Sequence, residues 1–216
     1  MNPVNTSDRE PLGAYSPINW AEGFERWTLV RFSTPADGSC LFHAICNSFF
    51  KPYREGIIED KPVERTKITS SLRTELSKKL ESKTNPEDDE SPIYYDVLNK
   101  GNMREFSKSV PEFSLESMMS SLDSSSSLGY GYMEFIGDAL EKDIYILEAS
   151  RRDIYITDEL PLTIKGNRDS LVLYYSSGHY ELVGIKEETG KIITHFSCNH
   201  RFIKFLHARV TSITGK

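Results

Sequence analysis

Helical periodicity through the first two thirds of the chain and short β-rich runs through the last third predict an α+β fold. The expected architecture is a small, mostly antiparallel sheet packed between helices. Apolar residues recur at helical spacing after Cys40, along 63–83 and through Leu115, Met118, Met119 and Leu122. Beyond residue 143, runs such as Leu171-Val172-Leu173-Tyr174-Tyr175 alternate with turn signals at Ser176-Ser177-Gly178 and around Gly190.

Taken in order, residues 1–17 are polar with Pro3, Pro11 and Pro17, and are expected to be a flexible N-terminal arm. Residues 18–216 are expected to be one domain, long enough for a single hydrophobic core. A short helix over 19–26 and a strand over 27–32 come first, with Trp20 anchoring the arm to the domain. A turn then leads into a helix at Cys40, and 52–62 reads as loop. The helix over 63–83 has Ile68, Leu72, Leu76 and Leu80 as its apolar stripe. Lys67, Arg73, Lys78 and Lys79 lie off that stripe and are expected on a solvated face. The acidic stretch 85–92 reads as a solvated loop, 124–127 as a flexible serine joint and 132–140 as a helix. Strands are expected over 144–148, 154–157, 171–175, 179–185 and 191–196, and a last helix over 201–210, with Phe202, Phe205, Leu206 and Val210 on one side.

The formal net charge of −6 and pI of about 5.5 disfavour nucleic acid as a partner and suit a basic one. No run of 18 apolar residues exists, so no membrane partner is expected. Three cysteines without paired spacing argue for a reducing, cytoplasmic location. A monomer without cofactor is expected. His195, Cys198, His200 and His207 match no zinc-ligand spacing, so no metal site is expected.

The chemistry is concentrated in two places. In Thr34-Pro35-Ala36-Asp37-Gly38-Ser39-Cys40-Leu41-Phe42-His43-Ala44-Ile45, turn residues hand over to a helix with Cys40 at the junction. Free N–H groups and the positive end of the helix dipole favour negative charge on a sulfur placed there. The same N–H groups, of Asp37, Gly38 and Cys40, can hold the oxyanion of an acyl intermediate. A small buried cysteine is the alternative. Far along the chain, His179 opens a strand with Glu181 on the same face, where a carboxylate can orient the ring toward a thiol. Cys46 is expected to face the core. His43 lies on the nucleophile helix and is a poor candidate for the base.

These residues resemble the ovarian-tumour (OTU) cysteine proteases, a family of deubiquitinases with a papain-like fold. Asp37-Gly38-Ser39-Cys40-Leu41-Phe42-His43-Ala44 is similar to the family's nucleophile motif, D-G-x-C-[LF]-[FY]-[RH]-A, and His179-Tyr180 to its terminal His-aromatic strand. Gly129-Tyr130-Gly131-Tyr132-Met133-Glu134-Phe135-Ile136 lies where the family usually has W-G-G-x-x-E-[LI], with Tyr130 in place of tryptophan. The resemblance covers roughly residues 30 to 186 and extends to compact viral members, for which the location would be host cytoplasm. It implies a cysteine isopeptidase acting on ubiquitin, polyubiquitin chains or ubiquitinated proteins, with Cys40 as nucleophile and His179 as base. The family usually carries Asp or Asn two residues after the histidine, where this chain has Glu181. Glu181 is therefore the expected orienting acid and Asp37 the substitute. A catalytically weak ubiquitin-binding module of the same fold, and an unrelated papain-like hydrolase or transferase acting on small amides, are the alternatives.

Overall fold

The structure is a computed structural model that describes residues 11–20, 23–157 and 163–215. In chain order its elements begin with β1 (Tyr15–Pro17), β2 (Leu29–Phe32), α1 (Cys40–Phe49) and α2 (Lys51–Glu55). A hairpin of β3 (Ile57–Ile58) and β4 (Lys61–Pro62) follows, then α3 (Arg65–Glu81), α4 (Tyr94–Gly101), α5 (Met103–Ser109), α6 (Leu115–Asp123) and α7 (Met133–Leu140). The last part holds β5 (Asp143–Glu148), β6 (Asp153–Ile154), β7 (Ser170–Ser176), β8 (His179–Lys186), β9 (Ile192–Ile193), β10 (His195–Phe196) and α8 (Arg201–Thr214).

The main sheet runs in the order β1-β2-β8-β7-β5-β6, with β9 against β8 and β10 against β7. It is antiparallel except for β5 and β7, which pair in parallel from Asp143↔Ser170 to Glu148↔Tyr175. Those two strands carry Ile144-Tyr145-Ile146-Leu147 and Leu171-Val172-Leu173, all buried, as strands covered on both faces must be. Alternation assigns the faces. Ile144, Ile146, Leu171, Leu173, Tyr180 and Leu182 pack with Leu41, Ala44 and Ile45 of α1 and with Met133 and Ile136 of α7. Tyr145, Leu147, Val172, Val183 and Ile185 pack on the opposite face with Phe202, Leu206 and Val210 of α8. The sheet therefore lies between helices, and α1 is laid against β8.

Several expectations change. Residues 1–10 of the expected arm lie outside the described residues, but 15–17 form β1, paired with β2 from Tyr15↔Phe32 to Pro17↔Val30. Asn47 holds Leu12 through both its carboxamide oxygen (2.9 Å) and nitrogen (3.1 Å), so this end of the arm is part of the domain. The helix expected over 19–26 includes residues outside the described set, and its described ends are not helical. Trp20 packs against Phe24 and Tyr174, with ring centroids 5.4 and 6.0 Å apart. The loop expected at 52–62 holds α2 and the β3–β4 hairpin, and α4 and α5 appear where no element was expected. The strand expected over 154–157 shortens to β6. The strand expected over 191–196 breaks at Thr194, which is turned toward α1: its carbonyl accepts from Ser48 Oγ at 2.8 Å and its hydroxyl donates to Ser48 O at 3.2 Å.

The histidines checked as metal ligands have separate structural positions. His200 caps α8, accepting from Phe202 N at 3.3 Å, and His207 lies 3.5 Å from the Tyr145 hydroxyl. Among the described residues, no three His, Cys, Asp or Glu side chains gather where they could hold a metal ion. No described helix is long and apolar enough to cross a membrane.

His195 on β10 stacks against Phe49 with centroids 5.7 Å apart, and its Nε2 is buried without a hydrogen-bond partner among the described residues. Burial first, and the Lys142 ammonium second, push its pKa down to about 4, with Asp169 only partly opposing them. The folded state thus holds His195 neutral, while the unfolded chain protonates it near pH 6.5. Its contribution to stability is present above pH 6.5 and is lost as pH falls toward 4, on the order of 3 kcal/mol in all. Urea midpoints measured between pH 7.5 and 4 should fall more steeply for wild type than for His195→Gln. Parallel curves would show that His195 is not buried as described.

Candidate active site

The turn before α1 is fixed from below by Asp37. Its Oδ1 accepts from Ser39 N at 2.9 Å, an Asx-type closure, and its Oδ2 meets His43 Nε2 at 2.9 Å. His43 is 1% exposed, and its Nδ1 lies 2.7 Å from the Tyr53 hydroxyl. An ionised carboxylate only accepts, so Nε2–H donates to Asp37. Burial pushes the Asp37 carboxyl up, but the bonds from His43 and Ser39 N–H outweigh it and hold the group below its ordinary value. Asp37, the substitute orienting acid, is thus bound to His43 rather than to His179.

From the other side the turn is held by Arg73. The solvated position expected for Arg73 is wrong: its residue is 2% exposed. Nε donates to Leu122 O at 2.8 Å, and Nη2 to Ser121 O and Ser126 O at 2.6 and 2.8 Å. Nη1 reaches Gly38 O and Ser39 Oγ, both at 3.3 Å, so all five donors are used. The guanidinium also lies 4.8 Å from the centre of the Phe42 ring. Lys67 and Lys78 do stay exposed, each paired with a glutamate on its own helix face. The physical reason for the difference is that the 121–126 backbone turns its carbonyls inward, and only a fork of donors can satisfy them together. The serine joint is correspondingly held in place. Ser125 O lies so near Gly38 that a Cβ there would meet it at 1.7 Å, and Gly38 has a φ of 80°, so the position requires glycine on both counts.

Cys40 is the first residue of α1, after an N-cap Ser39 whose side chain makes no capping bond. Ser39 N–H is bound to Asp37, but among the described residues the N–H groups of Gly38 and Cys40 have no partner. Of the three backbone groups expected to form an oxyanion hole, Gly38 and Cys40 are therefore open. Asp37's own N–H bears on its carboxylate.

His179 stands at the start of β8, immediately after a two-residue turn in which Ser177 and Gly178 have φ of 50° and 83°. Two positive φ values make a type I′ turn, the form that matches the twist of a hairpin. Because α1 packs on β8, the Cys40 thiol lies near Tyr180. Burial, the Tyr175 phenol and then Cys40 together push the pKa of the Tyr180 phenol up, so it stays un-ionised. No hydrogen bond joins Cys40 to His179 among the described residues. His179 Nε2 lies 3.2 Å from Thr34 Oγ1, and Thr34 Oγ1 donates to Tyr180 O at 2.5 Å.

Glu181 is not against His179. Its Oε2 accepts from Arg31 Nη1 at 2.8 Å, and the Arg31 guanidinium lies 4.8 Å from the Tyr174 ring centre. Register explains this: Arg31 pairs opposite Val183, which makes Glu181 its diagonal neighbour on the same face. Cys46 is buried, as expected, and burial pushes its thiol up to about 12.

Beside this constellation is a cleft of about 220 Å³ lined by Tyr130, Tyr155, Tyr175 and Tyr180, with Ile146 and Leu128. Tyr130, at the position of the family's usual tryptophan, packs edge-on to Tyr155 at 5.0 Å. Thr34, Arg31 and Arg73 are the site residues that sequence reasoning did not find. Thr34 lay inside the quoted motif, but a threonine in a turn carries no signal of its own.

Removing Arg73 leaves buried carbonyls without donors. Arg73→Met, which keeps bulk without donors, should lower stability by roughly 3–5 kcal/mol in urea unfolding. A loss below about 1 kcal/mol would mean that the guanidinium is not the clamp described.

No family model matches the sequence, and no curated protein matches it. Solved structures do. An OTU domain in complex with ubiquitin is similar over 91% of this chain and 90% of its own, with a TM-score of 0.52 and 21% identity. The OTUD1 OTU domain is similar over 72% of this chain and 85% of its own, at a TM-score of 0.42 and 16% identity. The first of these likenesses, with the helix-flanked sheet and the Cys40 turn, shows that the chain has the fold of an OTU domain.

Proposed function

We propose that the chain is a thiol-dependent isopeptidase that releases ubiquitin or a ubiquitin-like modifier from lysine side chains. The observation that carries this reading is the junction at Cys40: a cysteine opening a helix between two unspent backbone N–H groups, beside the strand that begins with His179. The substrate class is supported by the similar OTU domain that was solved in complex with ubiquitin. The net charge of −6 suits a basic partner segment.

In this mechanism His179 takes the Cys40 proton, and the sulfur attacks the carbonyl carbon that joins the modifier to the lysine amine. The carbonyl π electrons move to oxygen, and the N–H groups of Gly38 and Cys40 hold the resulting oxyanion. On collapse the C–N bond breaks, and the amine leaves with the proton carried by His179. Water, deprotonated by His179, then attacks the thioester and returns the thiol. The peptide unit between Gly38 and Ser39 is held at both ends, its carbonyl by Arg73 and its N–H by Asp37, which fixes the turn that presents the Gly38 and Cys40 N–H groups.

A second reading, a ubiquitin-binding module with weak catalysis, is favoured by one observation: the expected acid Glu181 is paired with Arg31. Ubiquitin carrying a C-terminal electrophile separates the two. The isopeptidase gives a one-to-one adduct by intact mass that Cys40→Ala abolishes and that Cys46→Ala and Cys198→Ala retain. Ubiquitin binding without an adduct would favour the module, and an adduct that survives Cys40→Ala would rule out this nucleophile.

A further inference from the structure

We infer that Thr34 is the residue that orients His179, so that the site operates as Cys40–His179–Thr34 with a neutral hydroxyl where a carboxylate was expected. A threonine hydroxyl has one proton and two acceptor lone pairs. Thr34 Oγ1 donates its proton to Tyr180 O at 2.5 Å. Its contact with His179 Nε2 at 3.2 Å can then be satisfied in only one sense, with Nε2–H donating and Oγ1 accepting. Nε2 therefore keeps its proton in both the neutral and the charged ring, and Nδ1 is the nitrogen that takes up and releases a proton.

The alternatives are spent elsewhere. Glu181 Oε2 is 2.8 Å from Arg31 Nη1, and both Asp37 oxygens are bonded, to Ser39 N and His43 Nε2. Thr34 is also well placed to hold a ring in register. It is 9% exposed and sits between the end of β2 and the Cys40 turn, and its bond to Tyr180 O ties that turn to the first residues of β8. One hydroxyl thus fixes both the tautomer of His179 and the separation of the two segments that carry nucleophile and base. Thr34 is a positioning residue and does not touch substrate in this scheme.

The inference rests on the isopeptidase reading only for the substrate used in turnover, so the full chain is tested in two ways. In ¹⁵N-edited NMR of the wild type, the His179 ring proton is expected on Nε2, slowed in exchange with water, and absent from the spectrum of Thr34→Val. In turnover of a ubiquitin C-terminal amide, Thr34→Val should lower kcat by roughly 10- to 100-fold with KM within about two-fold, less than the loss of a full carboxylate orienter. Thr34→Ser, which keeps the hydroxyl, should recover most of that loss. A His179 ring proton on Nδ1 in the wild type, or a folded Thr34→Val with unchanged turnover, would overturn the inference. A wild type that shows the Nε2 proton but leaves ubiquitin uncleaved would overturn the substrate reading and leave the role of Thr34 standing. Should Thr34→Val fail to fold, the wild-type spectrum and the Thr34→Ser turnover decide: a serine variant as poor as one lacking His179 counts against the hydroxyl.

Discussion

The arrangement around Cys40 depends on one buried guanidinium. Arg73 enters from the middle of α3 and binds carbonyls of two segments distant in sequence: the Gly38 turn, and the end of α6 with the serine stretch that follows it. No carboxylate accepts from it, and burial pushes its pKa down despite the favourable fields of Asp37 and Cys40. A buried cation is tolerated where every donor finds an acceptor, and here the carbonyl oxygens supply that compensation. With the guanidinium in place, the carbonyl of Gly38 points at Arg73 and the loop at Ser125 closes over a position that only glycine can occupy. In this turn the N–H groups of Gly38 and Cys40 have no partner among the described residues.

The second half of the site arrives by a different route. The type I′ turn brings β8 back along β7, and the registers Ser176↔His179 and Phe32↔Leu182 fix where His179 falls relative to β2. Tyr180 and Leu182 face α1, so the same strand that carries His179 supports the helix that begins with Cys40. Thr34 then joins the two pieces through the Tyr180 carbonyl. Arg31, three residues before Thr34, draws Glu181 away toward Tyr174. The side chain that a motif comparison would make the third member is thereby an ordinary cross-strand ion pair, partly exposed and of modest energetic weight.

Much of this was legible in the sequence. Turn chemistry before Cys40, helical spacing after it, and the Ser176-Ser177-Gly178 hairpin gave α1, β7 and β8 close to their observed bounds, because periodicity and turn residues are local signals. What was not legible was long-range. Arg73 lies beside Leu72 on a helix whose apolar stripe is narrow, and nothing local says that inward-facing carbonyls await it. Glu181 meets Arg31 through strand register, and Thr34 meets the Tyr180 carbonyl across a long stretch of chain, and the sequence alone leaves both pairings open. The helices at 94–109 were missed for a related reason: α4 breaks at Leu98–Lys100, where Asn99 and Lys100 have φ of 51° and 55°, so no sustained period marks it.

On the proposed reading, this frame makes Cys40, a residue only 4% exposed, the reactive thiol of the chain. Substoichiometric iodoacetamide on the native protein, followed by peptide mapping of the three cysteines, tests it without assuming a substrate. If accessibility alone decided, the partly exposed Cys198 would be labelled first and the buried Cys40 and Cys46 last. Cys40 is expected to be labelled first, ahead of Cys198, with Cys46 unlabelled until the protein unfolds. Labelling of Cys198 first, with Cys40 as inert as Cys46, would contradict it.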